Sequence, residues 1–145
     1  MTVGRTLAPV TVSLPVADRM AAYTFYRDGL GLAAVGKLAE DGVPEPLRFV
    51  VNDGLRLMLI PADGFDWITG DHTVAESGYS ECVLAVPVGA EREVDETIAR
   101  AVRAGARTVS EPDHRPWGYA GAFADPDGHL WLILAEQDEG GERAD

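Results

Sequence analysis

The feature that most constrains the fold is a turn followed by an apolar strand, which occurs at residues 53–60 and again, more clearly, at residues 125–134. In the second copy an Asp-Pro-Asp-Gly turn precedes large apolar residues, which predicts a tight turn leading into a buried strand. The same offset of 74 residues connects three pairs: Asp53 and Asp127, Gly31 and Gly105, and Val35 and Val109. An offset of half the chain predicts two copies of one supersecondary unit.

Each half predicts the same order of elements, β-α-β-β-β, from its alternating and helical apolar patterns. Asp18 is predicted to cap the first helix, which runs to about residue 28. In the first half, strands are expected at residues 9–16, 32–38, 47–51 and 55–60. In the second half, we expect a helix at residues 90–104 and strands at residues 79–88, 107–110, 119–124 and 130–135, with a loop at 111–118.

The domain organisation follows from this repeat. We expect one domain made of module one at about residues 8–61, a connection at 62–78 and module two at about 79–136. A connection of that length is long for a compact domain, so it is either a linker with a short helix, which we favour, or a functional lid. The acidic tail at residues 137–145 is expected to be disordered.

Composition excludes several classes of partner. A net charge of −12 and a pI near 4.5 argue against nucleic-acid binding. The start of the chain lacks the apolar core of a signal peptide, and no apolar run is long enough to span a bilayer. The single cysteine, Cys82, permits no intrachain disulfide and is expected to be an inert buried thiol. We therefore expect a cytoplasmic protein with neither a nucleic-acid nor a membrane partner.

The order of short motifs around the repeat is informative. These are Val16-Ala17-Asp18, Phe25-Tyr26, Leu30-Gly31 and the segment 125–131 that begins Asp-Pro-Asp-Gly-His. Over about residues 8–136, the chain resembles the glyoxalase/bleomycin-resistance/extradiol-dioxygenase superfamily, also called vicinal oxygen chelate proteins. The resemblance implies an α+β fold in which two βαβββ modules form a cup-shaped mixed sheet around a central cavity, with the helices outside. It also implies a homodimer.

The resemblance implies four strand positions at which enzymes of the superfamily hold a divalent metal. They correspond here to Thr11, Met58, Leu132 and a residue within 83–85. Thioether, hydroxyl and alkyl side chains are poor ligands for such ions. Glu81 would reach the fourth position only if the register slipped by two residues. We therefore expect no metal and no other cofactor.

Strand alternation indicates which residues could bind a ligand instead. If Thr11 and Leu132 face the cup, mainly apolar residues share that side, while Leu57, Leu59, Trp131 and Ile133 pack under the helices. Such a surface suits a small, largely hydrophobic ligand, on which aromatic rings could stack. The candidate ligand-binding residues are Thr11, Ser13, Phe49, Arg56, Met58, Trp67, Trp117, Tyr119 and Leu132. Core packing is the alternative for the aromatic residues, and it is favoured for Phe49.

Three functions remain open from the sequence. The first is a metal-free small-molecule-binding protein that sequesters a drug or metabolite, as a resistance protein does. The second is a lyase, isomerase or dioxygenase-like enzyme with an atypical or absent metal, in which Arg56, Glu81 or a tyrosine transfers protons. The third is an accessory protein whose cup is filled by its own side chains. The sequence does not decide whether a reaction is catalysed.

Overall fold

The structure is a computed structural model that describes residues 8–136. Its fold is α+β, with two four-stranded mixed sheets, as expected. The chain divides into two compact units between Glu76 and Ser77. The predicted acidic tail at residues 137–145 lies outside the described residues. Within residues 8–136, no helix is both long enough and apolar enough to cross a membrane.

The first unit contains four strands and two α-helices within its described residues. They are β1 (Val10–Val16), α1 (Arg19–Thr24), β2 (Ala33–Val35), β3 (Leu47–Asn52), β4 (Leu55–Pro61) and α2 (Ala62–Thr69). One π-helical turn, Phe25–Gly29, continues α1. The sheet order is β1-β4-β3-β2, with β1 parallel to β4. The predicted 62–78 connection therefore begins with a helix.

The second unit repeats this arrangement. Its elements are β5 (Val83–Val88), α3 (Glu91–Arg103), β6 (Arg107–Arg115), β7 (Gly118–Ala124) and β8 (Leu130–Ala135). The sheet order is β5-β8-β7-β6, with β5 parallel to β8. The turn before β8 forms as predicted, with the Gly128 amide donating to the Asp125 carbonyl at 2.8 Å and Gly128 at a φ of 94°.

Helices cover one face of each sheet because apolar residues alternate along the strands. The predicted cap is confirmed, since the Asp18 carboxylate accepts hydrogen bonds from the amides of Met20 and Ala21. The turn that continues α1 brings the Tyr26 ring to 5.9 Å from the Phe49 ring. In the second unit, α3 packs on β7 and β8. As expected, four strand residues are buried: Leu57, Leu59, Trp131 and Ile133.

Strand pairing confirms the internal repeat. Arg48 lies opposite Met58, and Ala122 opposite Leu132, which preserves the 74-residue offset. The first strand of each unit differs. Ser13 lies opposite Met58 whereas Ala85 lies opposite Leu132, so the offset from 13 to 85 is 72 residues. The structural counterpart of Ser13 is therefore Ala85, and that of Thr11, two residues earlier, is Val83.

The largest error in the predicted elements concerns β6. The expected loop at residues 111–118 is wrong, because β6 continues to Arg115 and only Pro116 and Trp117 form the turn. Pro112 is tolerated because the pairing register shifts between Ser110 and Asp113, which places two residues opposite Gly121.

Two strands are also shorter than predicted. β2 covers Ala33–Val35 rather than residues 32–38, and β5 starts at Val83 rather than at residue 79. Cys82 consequently precedes β5 and is exposed, so the expectation of a buried thiol is wrong.

Candidate functional site

The face of the first sheet opposite α1 carries most of the polar candidate residues. Because paired residues in neighbouring strands share a face, pairing places Arg48, Met58 and Ser13 in one row across β3, β4 and β1. Arg56 and Thr11 pair in the adjacent row. These five residues are called the arginine face below. The structure therefore brings together Thr11, Ser13, Arg56 and Met58 and adds Arg48.

Arg56 is held by the backbone of its own hairpin. Its Nη1 donates to the carbonyl oxygen of Asn52 at 2.9 Å and to that of Leu55 at 3.4 Å. The ion pairs formed within residues 8–136 do not include Arg56. The Arg56 guanidinium is therefore bonded to backbone carbonyl groups and to no carboxylate of the described residues.

Arg48 is the residue that sequence reasoning missed. Its Nε is buried and has no hydrogen-bond partner within residues 8–136. Its Nη2 lies 3.6 Å from the position that a Cβ on Gly36 would occupy. A buried donor without a partner costs about 1–3 kcal/mol. The sequence did contain a sign of this residue, because Arg48 is the one charged side chain in the otherwise apolar segment 47–51. Pairing of this segment with the next strand places Arg48 opposite Met58.

The corresponding face of the second sheet is apolar. Leu132 on β8 lies between Ala85 on β5 and Ala122 on β7. These are the counterparts of Met58, Ser13 and Arg48. The repeat has therefore kept the geometry of the row while the second unit has no polar side chain in it.

The residues at the four metal positions do not fit a divalent metal. Thr11, Val83, Met58 and Leu132 offer one hydroxyl and one thioether, which are weak and soft donors respectively. Across residues 8–136, no group of three or more His, Cys, Asp or Glu side chains is placed to hold a metal ion. Glu81 is exposed and precedes β5, so it occupies none of these positions.

The aromatic candidates lie in four different settings. Phe49 is fully buried against Tyr23 and Tyr26, which agrees with the favoured alternative of core packing. Trp67 on α2 is 87% exposed, and Trp117 in the β6–β7 turn is 55% exposed.

Tyr119 points away from the Leu132 face. It pairs with His114 on β6 and donates a hydrogen bond from its hydroxyl to Oδ1 of Asp95 on α3 at 2.7 Å. Its side chain is thus on the helix-covered side of the second sheet, opposite the face that carries Leu132.

The surroundings of Tyr119 make its phenol a weak acid. The hydrogen bond to Asp95 is the main cause that raises the pKa of Tyr119 to about 12, followed by desolvation and by the charges of Asp95, Glu91 and Asp113. The His114 ring lies edge-on to Tyr119 at 4.8 Å, and its Nε2 is 3.7 Å from a Glu91 carboxylate oxygen. This cluster ties α3 to β6 and β7.

A groove of about 480 Å³ lies between α3 and β6 in the second unit. Its lining residues include the mainly apolar Ile98, Val102, Thr108 and Pro112 and the acidic Asp95 and Glu111. Because it is lined by α3, it lies on the helix side of the sheet rather than on the Leu132 face. None of the predicted ligand-binding residues lines it.

Comparison with known proteins gives consistent results. The sequence profile of the Glyoxalase/Bleomycin resistance protein/Dioxygenase superfamily matches residues 7–133. A glyoxalase-related enzyme from Fulvimarina pelagi is similar in structure, with 30% identity, a TM-score of 0.75, and coverage of 91% of this chain and 88% of that protein. A glyoxalase/bleomycin resistance protein/dioxygenase from Nocardioides shares 25% identity at a TM-score of 0.68, covering 96% and 89% of the two chains.

TioX from Micromonospora sp. ML1 is similar in fold, with 23% identity, a TM-score of 0.64, and coverage of 90% of this chain and 100% of TioX. No curated protein sequence matches the chain. The profile match extends over most of the sequence and agrees with the two repeated units. The chain therefore belongs to the Glyoxalase/Bleomycin resistance protein/Dioxygenase superfamily.

Proposed function

We propose that this protein is a metal-free small-molecule-binding member of its superfamily that sequesters a drug or metabolite. The observation that carries the proposal is that Met58 and Leu132, which are poor metal donors, lie at equivalent positions of the two units. The superfamily resemblance implies metal ligands at these positions. Sequestration requires a complementary surface and no catalytic groups. A thioether and an alkyl side chain at these positions supply such a surface and would not support Lewis-acid chemistry.

We propose that apolar side chains on a sheet face hold the ligand. Met58 and Leu132 are both partly exposed. Burying apolar ligand surface there contributes about 25 cal/mol per Å², from which the cost of ordering the ligand is subtracted. Ser13 and Thr11 supply hydroxyl groups beside Met58, and these can orient a ligand. A planar, mainly apolar small molecule matches this composition best.

Metal content tests the first part of the proposal. Protein equilibrated with zinc, nickel, manganese or iron(II) and then desalted is expected to retain far less than one equivalent of metal. The measurement is elemental analysis by mass spectrometry. Retention of one equivalent that disappears in Glu81→Ala would contradict the proposal, because it would show that Glu81 completes a metal site.

A thermal-shift screen with planar metabolites and drugs tests the second part. A ligand that binds only the native state raises the melting temperature, and the rise grows with the logarithm of the ligand concentration above Kd. We expect this rise to be lost in Met58→Glu and kept in Met20→Glu, since Met20 is an exposed residue of α1. A screen in which Met58→Glu responds like the wild type would place binding away from this face.

The enzymatic alternative has less support from the geometry. Tyr119 is engaged by Asp95 and has a raised pKa, which makes proton donation near neutral pH harder. Arg56 is bound to backbone carbonyl groups, and Glu81 lies outside β5. Of these three residues, Arg56 alone shares the Met58 face, and Tyr119 lies on the opposite side of the second sheet from Leu132.

We also propose that the protein is a homodimer, as the superfamily resemblance implies, and that it is cytoplasmic. Its acidic surface charge of −12 disfavours nucleic acid as a further partner. Light scattering at micromolar concentration is expected to give twice the mass of 15.5 kDa. A monomer mass under these conditions would contradict the dimer and leave the ligand-binding proposal intact.

A further inference from the structure

Arg48 and Arg56 differ from Arg19 and Arg27 of the first unit because neither has an acidic partner among the described residues. Arg56 is held by backbone carbonyl groups, whereas the buried Nε of Arg48 has no hydrogen-bond partner there. Arg19 contacts Asp41 and Glu45 at 2.8 Å each, and Arg27 contacts Asp28 at 2.8 Å. The ion pairs formed within residues 8–136 do not include Arg48. In a chain of net charge −12, carboxylates are abundant, so a guanidinium without one is available for an external anion.

The unsatisfied Nε–H donor of Arg48 also favours an anionic partner. Its side chain is partly exposed, whereas its Nε is buried and unpaired within the described residues. An anion that draws the guanidinium outward would compensate the charge and expose Nε to a hydrogen-bond acceptor at the same time. Both changes favour the bound state over the free state, which is the requirement for affinity.

Strand pairing sets the direction and length of the site. Arg48 and Ser13 lie on either side of Met58 in one row. Two strand spacings separate them, which is roughly 10 Å. The matching row of the second unit, Ala122, Leu132 and Ala85, offers no charge. The row of Arg48 therefore offers an anionic ligand a cation beside an apolar residue. The cation of the adjacent row, Arg56, is already bonded to the carbonyl oxygens of Asn52 and Leu55.

We propose that the ligand carries a carboxylate that Arg48 binds, with its apolar body across Met58 and its far end near Ser13. This inference rests on the proposed function and specifies its ligand class, an aromatic or otherwise flat monocarboxylic acid. The guanidinium fork matches a planar carboxylate with two parallel hydrogen bonds. A monoanion is preferred over a dianion such as a phosphate monoester, because the acidic protein repels additional negative charge.

The test uses 2-naphthoate and its neutral analogue 2-naphthamide, with binding measured by isothermal titration calorimetry at low ionic strength. The variants are Arg48→Met and, as a control with the same substitution and charge change, Arg92→Met on the exposed side of α3. In the wild type and in Arg92→Met, we expect naphthoate to bind about tenfold more tightly than naphthamide, the effect of one charge-assisted contact. In Arg48→Met the two compounds should bind equally.

The outcomes separate this inference from the proposed function. Equal binding of both compounds by the wild type, abolished by Met58→Glu, would overturn the carboxylate site and leave the apolar binding surface in place. A preference for naphthoate that survives in Arg48→Met would assign the anion to another cation and also overturn the inference. Failure of both compounds to bind at millimolar concentration would contradict both proposals. Tighter binding of 2-naphthyl phosphate than of naphthoate would overturn the choice of a monocarboxylate.

Discussion

Tyr119 on β7 donates a hydrogen bond to Oδ1 of Asp95 on α3 at a distance of 2.7 Å. The bond joins the edge hairpin of the second sheet to the helix that covers it. It uses an ionised carboxylate as acceptor, which makes it stronger than a bond between neutral groups. The bond holds Tyr119, the one tyrosine among the candidate ligand-binding residues, on the face of the second sheet opposite Leu132.

Because of this hydrogen bond, we expect Tyr119 to ionise at a higher pH than an ordinary tyrosine. The phenol is expected to ionise near pH 12 rather than near its ordinary pKa of about 10, because ionisation would place two negative oxygens side by side. The difference in ultraviolet absorbance between the wild type and Tyr119→Phe reports this ionisation. Asp95→Asn should lower the pKa of Tyr119, and an unchanged pKa would show that Asp95 is not its cause.

The same shift predicts how stability depends on alkaline pH. Because the pKa of Tyr119 is raised by folding, the native state holds this proton more tightly than the unfolded state does. Its contribution to stability is complete below about pH 10 and is lost as the pH rises towards 12. In denaturant titrations, Tyr119→Phe should lose stability less steeply over this window. Equal slopes would contradict the assignment.

Arg48→Met is expected to stabilise the protein. The substitution keeps an unbranched side chain beside Met58 and removes the buried, unpaired Nε. We expect the free energy of unfolding to rise by about 1 kcal/mol in urea titrations. Arg92→Met should change it by less than about 0.5 kcal/mol, as surface substitutions do. Marked destabilisation by Arg48→Met would show that the guanidinium makes a native contact that the geometry does not reveal.

A side chain at Gly121 is expected to displace Pro112 on the neighbouring strand. A Cβ there would lie 3.1 Å from the nitrogen and Cγ of Pro112 and 3.2 Å from its Cα. Gly121→Ala should therefore displace the β6 bulge and destabilise the protein by about 1–3 kcal/mol. Gly64→Ala is the matched control, since Gly64 lies within α2 and a Cβ there meets nothing within 4 Å. Helix propensity predicts that the control is stabilised by about 1 kcal/mol, and thermal denaturation measures both.

The buried carboxylate of Asp125 is expected to be essential for the turn before β8. Its Oδ1 accepts hydrogen bonds from the amides of Asp127 and His129 at 2.9 and 2.8 Å. Asp125→Ala leaves both amides without this acceptor and should cost about 1–3 kcal/mol in urea titrations. Asp53→Ala, in the exposed turn of the first unit, should be nearly neutral. Similar losses for both variants would contradict a specific role for Asp125.

Leu132→Glu is expected to weaken binding of any planar apolar ligand that the thermal-shift screen identifies. The new carboxylate would lie between Ala85 and Ala122 without a polar partner in its row. The expected loss is about 2 kcal/mol of binding free energy. The titration must include a chelator, because the substitution also introduces a carboxylate at a metal position. Val102→Glu, at an exposed site on α3, is the control, and undiminished affinity in Leu132→Glu would place the ligand elsewhere.

Local sequence patterns predicted most of the fold. They gave wrong elements where one residue type is compatible with two kinds of local structure. Pro112 indicated a loop because proline cannot donate a hydrogen bond to a strand. In the structure it lies in a bulge opposite Gly121, where the ladder does not require its amide. Residues 79–82 showed strand-like composition, but they precede β5 and pair with no strand. Pairing across a sheet is set by distant residues, so a local window does not contain it.

The sequence by itself determined the two βαβββ units, their 74-residue offset, the cap at Asp18, the helix-covered core faces and the poor donors at Met58 and Leu132. These follow from periodicity and side-chain chemistry, which are local. Only the tertiary structure decided that Arg48 shares a row with Met58 and Ser13, that its Nε is unpaired, and that Tyr119 is bound to Asp95. The physical reason is that burial and hydrogen bonding depend on which distant strands and helices pack together, and the residues within one strand do not specify their partners.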